Sequence, residues 1–160
     1  MSYTIETRDV PAQPTATIRV QTPTAAMTSV MDTAWPEVWG YLESAGVHPC
    51  GPQFIRYHHL DPEQADIEVG FPVPAPVGGA GRVAAGELPG GTVAVTDHFG
   101  SYDTLPAAYA ALAQWLEAQG HNPMETAPWT IYWTDPGEEP DQGKWRTEIF
   151  WPVAGPPGSG

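Results

Sequence analysis

RTEIFWPV, residues 146–153, decides how this chain is read, because DIEVGFPV at 66–73 repeats it. Glu68 aligns with Glu148, and Pro72-Val73 with Pro152-Val153. In a strand successive side chains face opposite ways. Trp145, Thr147, Ile149 and Trp151 therefore share one face, and Arg146, Glu148 and Phe150 the other. A charge in the middle of so bulky a strand either faces water or sits in an aromatic surface suited to a cation or a proton.

The repetition extends outward from these strands. YLESAG (41–46) returns as WLEAQG (115–120), PQFIRYHHLDPE (52–63) as PWTIYWTDPGEE (128–139), and VPAQPTATIRV (10–20) as LPGGTVAV (88–95). The offset grows from 74 residues (41 to 115) to 80 (66 to 146), a drift that short loop insertions explain and a period too long for a solenoid. Order and residue type are kept over most of the chain, so an internal duplication is expected. It predicts one domain over 1–153, with halves at 1–75 and 80–153, and a loose tail at 154–160.

Each half reads strand, strand, helix, strand, strand. The first two strands (about 3–9 and 15–22, or 82–88 and 92–98) are expected to form hairpins turning at Pro-Ala or Pro-Gly-Gly. In the first helix Met27, Met31, Trp35, Val38 and Leu42 form an apolar stripe ending at Gly46, with Pro36 expected to kink or restart it. In the second, Asp103 or Thr104 caps, Pro106 suits the first turn, and Leu105, Tyr109, Leu112 and Leu116 form the stripe before Gly120. The closing strands fall at 53–60 with 66–72, and 129–134 with 145–152. The fold class is thus α+β, two pseudo-symmetric ββαββ halves with antiparallel sheets around a central ligand cleft.

Composition narrows the function. Nineteen Asp and Glu stand against 6 Lys and Arg, a net charge of −13. That balance lacks the basic stripe nucleic acids require, disfavours anionic membranes and suits cationic ligands. The single cysteine, Cys50, excludes an intrachain disulfide and a multi-thiolate metal site. No signal peptide or apolar membrane span is read, so a cytoplasmic protein is expected. His58 and His59 are adjacent, and strand alternation sends them to opposite faces; no HxxxH or HxH spacing occurs. Neither a metal nor a cofactor is expected.

The candidate site centres on Glu148 and its repeat Glu68. The hydrophobic set Trp129, Ile131 and Trp133 is assigned to the helix side of its strand, which leaves Thr130 and Tyr132 beside Glu148, with Tyr57 as the mate of Tyr132. Trp35 and Trp39 lie four apart on one helix face, either in the core or with one ring over the cleft. Phe150 shares the face of Glu148. Aromatic faces beside carboxylates suit organic cations.

GTVAVTDHFGSYDTLPAAYAALAQWLEAQGH (91–121), TIYWTDPGEEPD (130–141) and WRTEIFWPV (145–153) together resemble the GyrI-like small-molecule-binding domain. This is the effector module also found in AraC-type and MerR-type multidrug regulators. The resemblance implies two similar halves about a cleft, with Glu148 as its characteristic charge and Tyr132 on the preceding strand. Thr130 stands where the family has a glutamate, and Glu68 offers a second charge instead. No helix-turn-helix segment is read, so direct DNA control is not expected of this chain. The resemblance implies two functions. One is binding of aromatic, cationic drug-like molecules for recognition, sequestration or resistance, or action through a protein partner such as gyrase. The other is hydrolysis of cyclopropyl-indole compounds, with Glu148 activating water and Tyr132 steadying the developing oxyanion. The same two residues serve both.

Overall fold

The computed structural model describes residues 3–101, 104–121, 127–134 and 138–153. Among the described residues the strands and α-helices follow in order: β1 (Glu6–Val10), β2 (Gln13–Pro23), α1 (Met27–Ala45), β3 (Phe54–Leu60), β4 (Gln64–Pro72), β5 (Ala84–Leu88), β6 (Gly91–Phe99), α2 (Leu105–Ala118), β7 (Trp129–Tyr132) and β8 (Arg146–Pro152). The fold is α+β with antiparallel pairing, as expected. The chain forms two compact units, one joining the N-terminal segment through Pro11 to the chain from Gly90 onward, the other spanning Ala12–Pro89. The expected tail and the capping role of Asp103 lie outside the described residues.

The two hairpins predicted at the start of each half do not form. β1 pairs with β6, Glu6 opposite Val95 and Val10 opposite Gly91. β5 pairs with β2, Leu88 opposite Gln13 and Ala84 opposite Thr17. The reason lies in the links. A two-residue hairpin needs positive φ at its first loop residue, whereas Pro11 and Pro89 fix φ near −65°. The chain therefore runs straight on, and each first strand completes the other sheet. Strand order is β1-β6-β8-β7 in one unit and, read the same way, β5-β2-β4-β3 in the other.

One helix covers one face of each sheet. In the first unit Leu105, Ala108, Leu112 and Leu116 of α2 bury against Ala94 and Ile149, with Tyr109, Trp115 and Trp151 at the margin. These positions recur every three to four residues, so they form one stripe. Thr104 stands at the N-cap, but its hydroxyl donates to Ser101 O and accepts no hydrogen bond from a helix amide. In the other unit α1 packs on β2 and β4. Its buried line is Ala34, Val38 and Leu42, with Met27, Met31 and Trp35 half-buried. The helix runs on through Pro36; the carbonyl that proline leaves without its helical donor is that of Asp32, which is exposed, so water can take it. Gly46 ends α1 at φ 70°, the left-handed conformation that glycine adopts without strain.

Candidate functional site

Glu148 lies in the middle of β8, on the face away from α2, since its neighbour Ile149 packs on the helix. It is only 3% exposed, so its charge must be met locally. Trp133 Nε1 donates to its Oε1 at 3.0 Å. Arg8 Nη1 donates to Oε2 at 3.2 Å, and Arg146 Nη2 approaches the same oxygen at 3.5 Å. Each arginine has a second anchor: Arg8 Nε donates to Glu6 Oε1 at 2.8 Å, and Arg146 Nε to Asp97 Oδ1 at 3.0 Å. The hydrogen bond to Glu6, followed by the bond to and charge of Glu148, raises the Arg8 guanidinium above its ordinary value against the opposing effect of burial. Three carboxylates thus face two guanidiniums, and the cluster keeps a net negative charge.

The wall beside this carboxylate is aromatic. Trp129 and Phe150 stack at 5.6 Å between centroids with their planes 11° apart. Trp133 is 44% exposed, and the Arg146 guanidinium carbon sits 5.2 Å from its ring centroid. The face therefore combines a partly exposed indole, a stacked aromatic pair and a buried carboxylate.

Glu68 holds the matching place in the other unit, opposite Arg19 and Arg56. His58 Nε2 meets its Oε1 at 2.7 Å, and Thr17 Oγ1 donates to Oε2 at 2.7 Å. Burial pushes this carboxyl up, but the His58 and Thr17 hydrogen bonds and the charges of His58 and Arg56 outweigh it and hold it below the ordinary value. Burial lowers the Arg56 guanidinium, opposed by the charge of Glu68. The side chains of Arg56 and Thr15 each keep a buried atom, Nε and Oγ1, with no hydrogen-bond partner among the described residues.

The registers align the two clusters residue by residue. Arg19 and Asp97 stand opposite Glu68 and Glu148 respectively. Each pairs with the residue two before the glutamate: Arg19 with Asp66 at 2.8 Å, Asp97 with Arg146 at 3.0 Å. The ion pair is kept and its polarity reversed. The Arg19 hydrogen bond holds Asp66 below the ordinary carboxylate value.

The structure brings Glu148 and Phe150 together on one face and corrects the placement of several expected partners. Thr130 pairs with Ile149 and Tyr132 with Thr147, so both lie on the helix side rather than beside Glu148. Thr130 is fully buried and hydrogen-bonded to Tyr109 of α2. Trp129, Ile131 and Trp133 take the opposite side. On β7 the helix-free side carries the apolar residues, while Thr130 lies on the helix side, so the hydrophobic set did not mark the helix side. Tyr57 is likewise opposite Ile67, away from Glu68. Trp35 Nε1 donates to Phe54 O, tying α1 to β3, and Trp39 is exposed with its ring 5.5 Å from Phe71. Neither tryptophan joins a carboxylate cluster. A bulge between Tyr57 and His59 breaks strand alternation, which is how His58 reaches Glu68 while His59 binds Asp61. The Asp61 carboxyl falls to about 2, chiefly through the His59 hydrogen bond and then the amides of Gln64 and Glu63.

Four partners escaped sequence reasoning. Arg146 was within reach, since alternation puts it on the face of Glu148. Trp133 followed the wrong face assignment, His58 needed the bulge, and Arg8 needed the strand exchange. Among the described residues no group of three His, Cys, Asp or Glu is placed to hold a metal, and no helix is long and apolar enough to cross a membrane.

The class of protein is thus an α+β domain with a carboxylate set into an aromatic sheet face. The sequence matches the GyrI-like small molecule binding domain over residues 3–154, and the chain belongs to that family. The C-terminal domain of EcmrR is similar in structure, with a TM-score of 0.82 and 24% identity over 96% of this chain and 99% of that one. In the EcmrR–DNA complex the TM-score is 0.80 at 24% identity, and the match covers 94% of this chain but 57% of the EcmrR chain. SAV2435 bound to tetraphenylphosphonium matches at 0.63 and 11% identity, over 97% of this chain and 95% of that one. A hydrolase of Listeria innocua, encoded by lin2189, matches at 0.62 and 14%, over 94% and 91%. No curated protein sequence matches the chain.

Proposed function

We propose that this GyrI-like domain binds aromatic organic cations on the helix-free face of β8, with Glu148 as counter-ion and Trp133 as stacking wall. The observation that carries this reading is a carboxylate 3% exposed beside an indole 44% exposed. A buried carboxylate interacts strongly with an arriving cation because little water screens it, and the partly exposed ring adds quadrupole attraction and apolar burial worth about 25 cal/mol per Å². Glu68, kept charged by His58 and Thr17, is proposed as a second ligand carboxylate within its own unit. The matched strand orders and registers support descent of the two units from one duplicated half.

The alternative of a hydrolase using Glu148 and Tyr132 finds no support in the register, which sets the two residues on opposite faces. Tetraphenylphosphonium, the ligand of the similar SAV2435 structure, is the first probe. Calorimetric titration should show binding, and Glu148→Gln should weaken it at least about tenfold, or about 1.4 kcal/mol. Equal affinity in that variant removes Glu148 from the site.

A further inference from the structure

The Glu148 cluster already holds an organic cation of its own. Arg146 rests on Trp133, 5.2 Å from guanidinium carbon to ring centroid, with Nη2 3.5 Å from Glu148 Oε2. Guanidinium is planar, delocalised and weakly hydrated, so it matches the chemistry just assigned to the ligand. Its contacts are unequal. Nε is 3.0 Å from Asp97 Oδ1, a good charge-assisted hydrogen bond, whereas the 3.5 Å approach to Glu148 is at the outer limit of one. Arg146 is anchored by Asp97 and only leans on Glu148. Its side chain is 37% exposed, so it has room to swing outward while keeping Asp97.

We infer that Arg146 is a specificity-determining residue, a displaceable internal ligand that a cation must push off Trp133 to reach Glu148. The inference rests on the reading of Glu148 as counter-ion. Displacement costs every ligand the same stacking and the same long ion contact. A small cation gains little more than guanidinium loses, and so does not displace it. A ligand with large aromatic area does, because its apolar burial exceeds what Arg146 had. Arg146 therefore sets a threshold that admits bulky aromatic cations and rejects small ones. The strand does not require an arginine here: the equivalent register position in the other unit is Asp66, paired with Arg19 in reversed polarity. Arg8 is a different case, since it lies closer to Glu148, at 3.2 Å, and is braced by Glu6 at 2.7 Å.

The test titrates tetraphenylphosphonium into the full chain and into Arg146→Ala, Arg146→Gln and Glu148→Gln, each first checked for folding by circular dichroism. Arg146→Ala and Arg146→Gln should each bind about three- to tenfold tighter than wild type, the range expected when a partly exposed cation–π competitor is removed. Guanidinium chloride at low, non-denaturing concentration should erode that gain in Arg146→Ala and leave wild type nearly unmoved, which a purely structural arginine would not do. Should Arg146→Ala misfold, Arg146→Gln carries the test, because its amide still reaches Asp97. If both Arg146 variants bind no tighter than wild type while Glu148→Gln is weakened, the displacement role is overturned and the counter-ion reading stands. If neither wild type nor any variant binds the cation, the counter-ion reading falls and this inference with it.

Discussion

Arg8 and Gly86 occupy the same register position in the two units. Arg8 pairs with Val93, which pairs with Pro152, and Gly86 pairs with Thr15, which pairs with Pro72. In one sheet the exchanged strand delivers a guanidinium to Glu148. In the other it delivers no side chain, and the Glu68 carboxylate lies across the space that one would fill. A Cβ on Gly86 would stand 2.7 Å from Thr15 Oγ1 and 2.8 Å from Glu68 Oε2. The duplicated strands thus give one carboxylate an arginine partner and leave the other to histidine and threonine.

That packing orders two glycine variants. Gly86→Ala meets side-chain atoms, and Glu68 can yield by leaving Thr17, so the loss should be about 1–2 kcal/mol. Gly70→Ala meets the backbone carbonyl of Ala16 at 2.0 Å, which cannot yield without breaking the β2–β4 ladder. It should cost at least about 3 kcal/mol, or prevent folding. Urea unfolding of both variants checks the order; a milder effect at Gly70 than at Gly86 contradicts it.

Much of this was legible from the chain. The repeat at Glu68 and Glu148 gave the strands that carry the carboxylates, and the stripe from Leu105 to Leu116 gave α2 and its buried face. The failures have separate physical causes. Proline-led links look like turns in sequence, but their fixed φ forbids the tight hairpin, so the route of Arg8 to Glu148 was hidden. The side of Tyr132 was misjudged because each face of β7 carries a buried residue, Trp129 on one and Thr130 on the other, and hydrophobicity then no longer distinguishes them. The bulge at His58 obeys no residue pattern and shows only in the pairing.

The Glu68 carboxyl is held below its ordinary value of 4.5, which fixes a sign. The unfolded chain binds this proton more readily, so the group's stabilisation is fully present above 4.5 and is lost as pH falls through the lowered folded value. Wild type should lose stability more steeply than Glu68→Gln as pH falls from 4.5 through the lowered folded value. His58→Gln should show an intermediate slope, since it removes the leading bond that keeps Glu68 ionised. Chemical denaturation at stepped pH reads this directly, and parallel curves for wild type and Glu68→Gln would rule out the linkage.

The last prediction tests the face assignment on which the functional reading depends. Thr130 is fully buried and hydrogen-bonded to Tyr109, so that bond belongs to the helix–sheet contact and not to the ligand face. Tyr109→Phe leaves a buried hydroxyl without that partner and should cost about 1–2 kcal/mol. Thr130→Val made alone leaves the Tyr109 hydroxyl without the same bond, at a smaller cost because Tyr109 is only half-buried. Combining the two removes donor and acceptor together, so the double variant should be more stable than the sum of the single losses by about 0.5–1.5 kcal/mol, the coupling expected of one shared bond. Tetraphenylphosphonium affinity should be unchanged within twofold in all three variants, since neither hydroxyl faces Glu148. Additive stability losses together with a large drop in affinity on Thr130→Val would instead turn β7 over, putting Thr130 and Tyr132 beside the carboxylate and Trp133 beneath the helix.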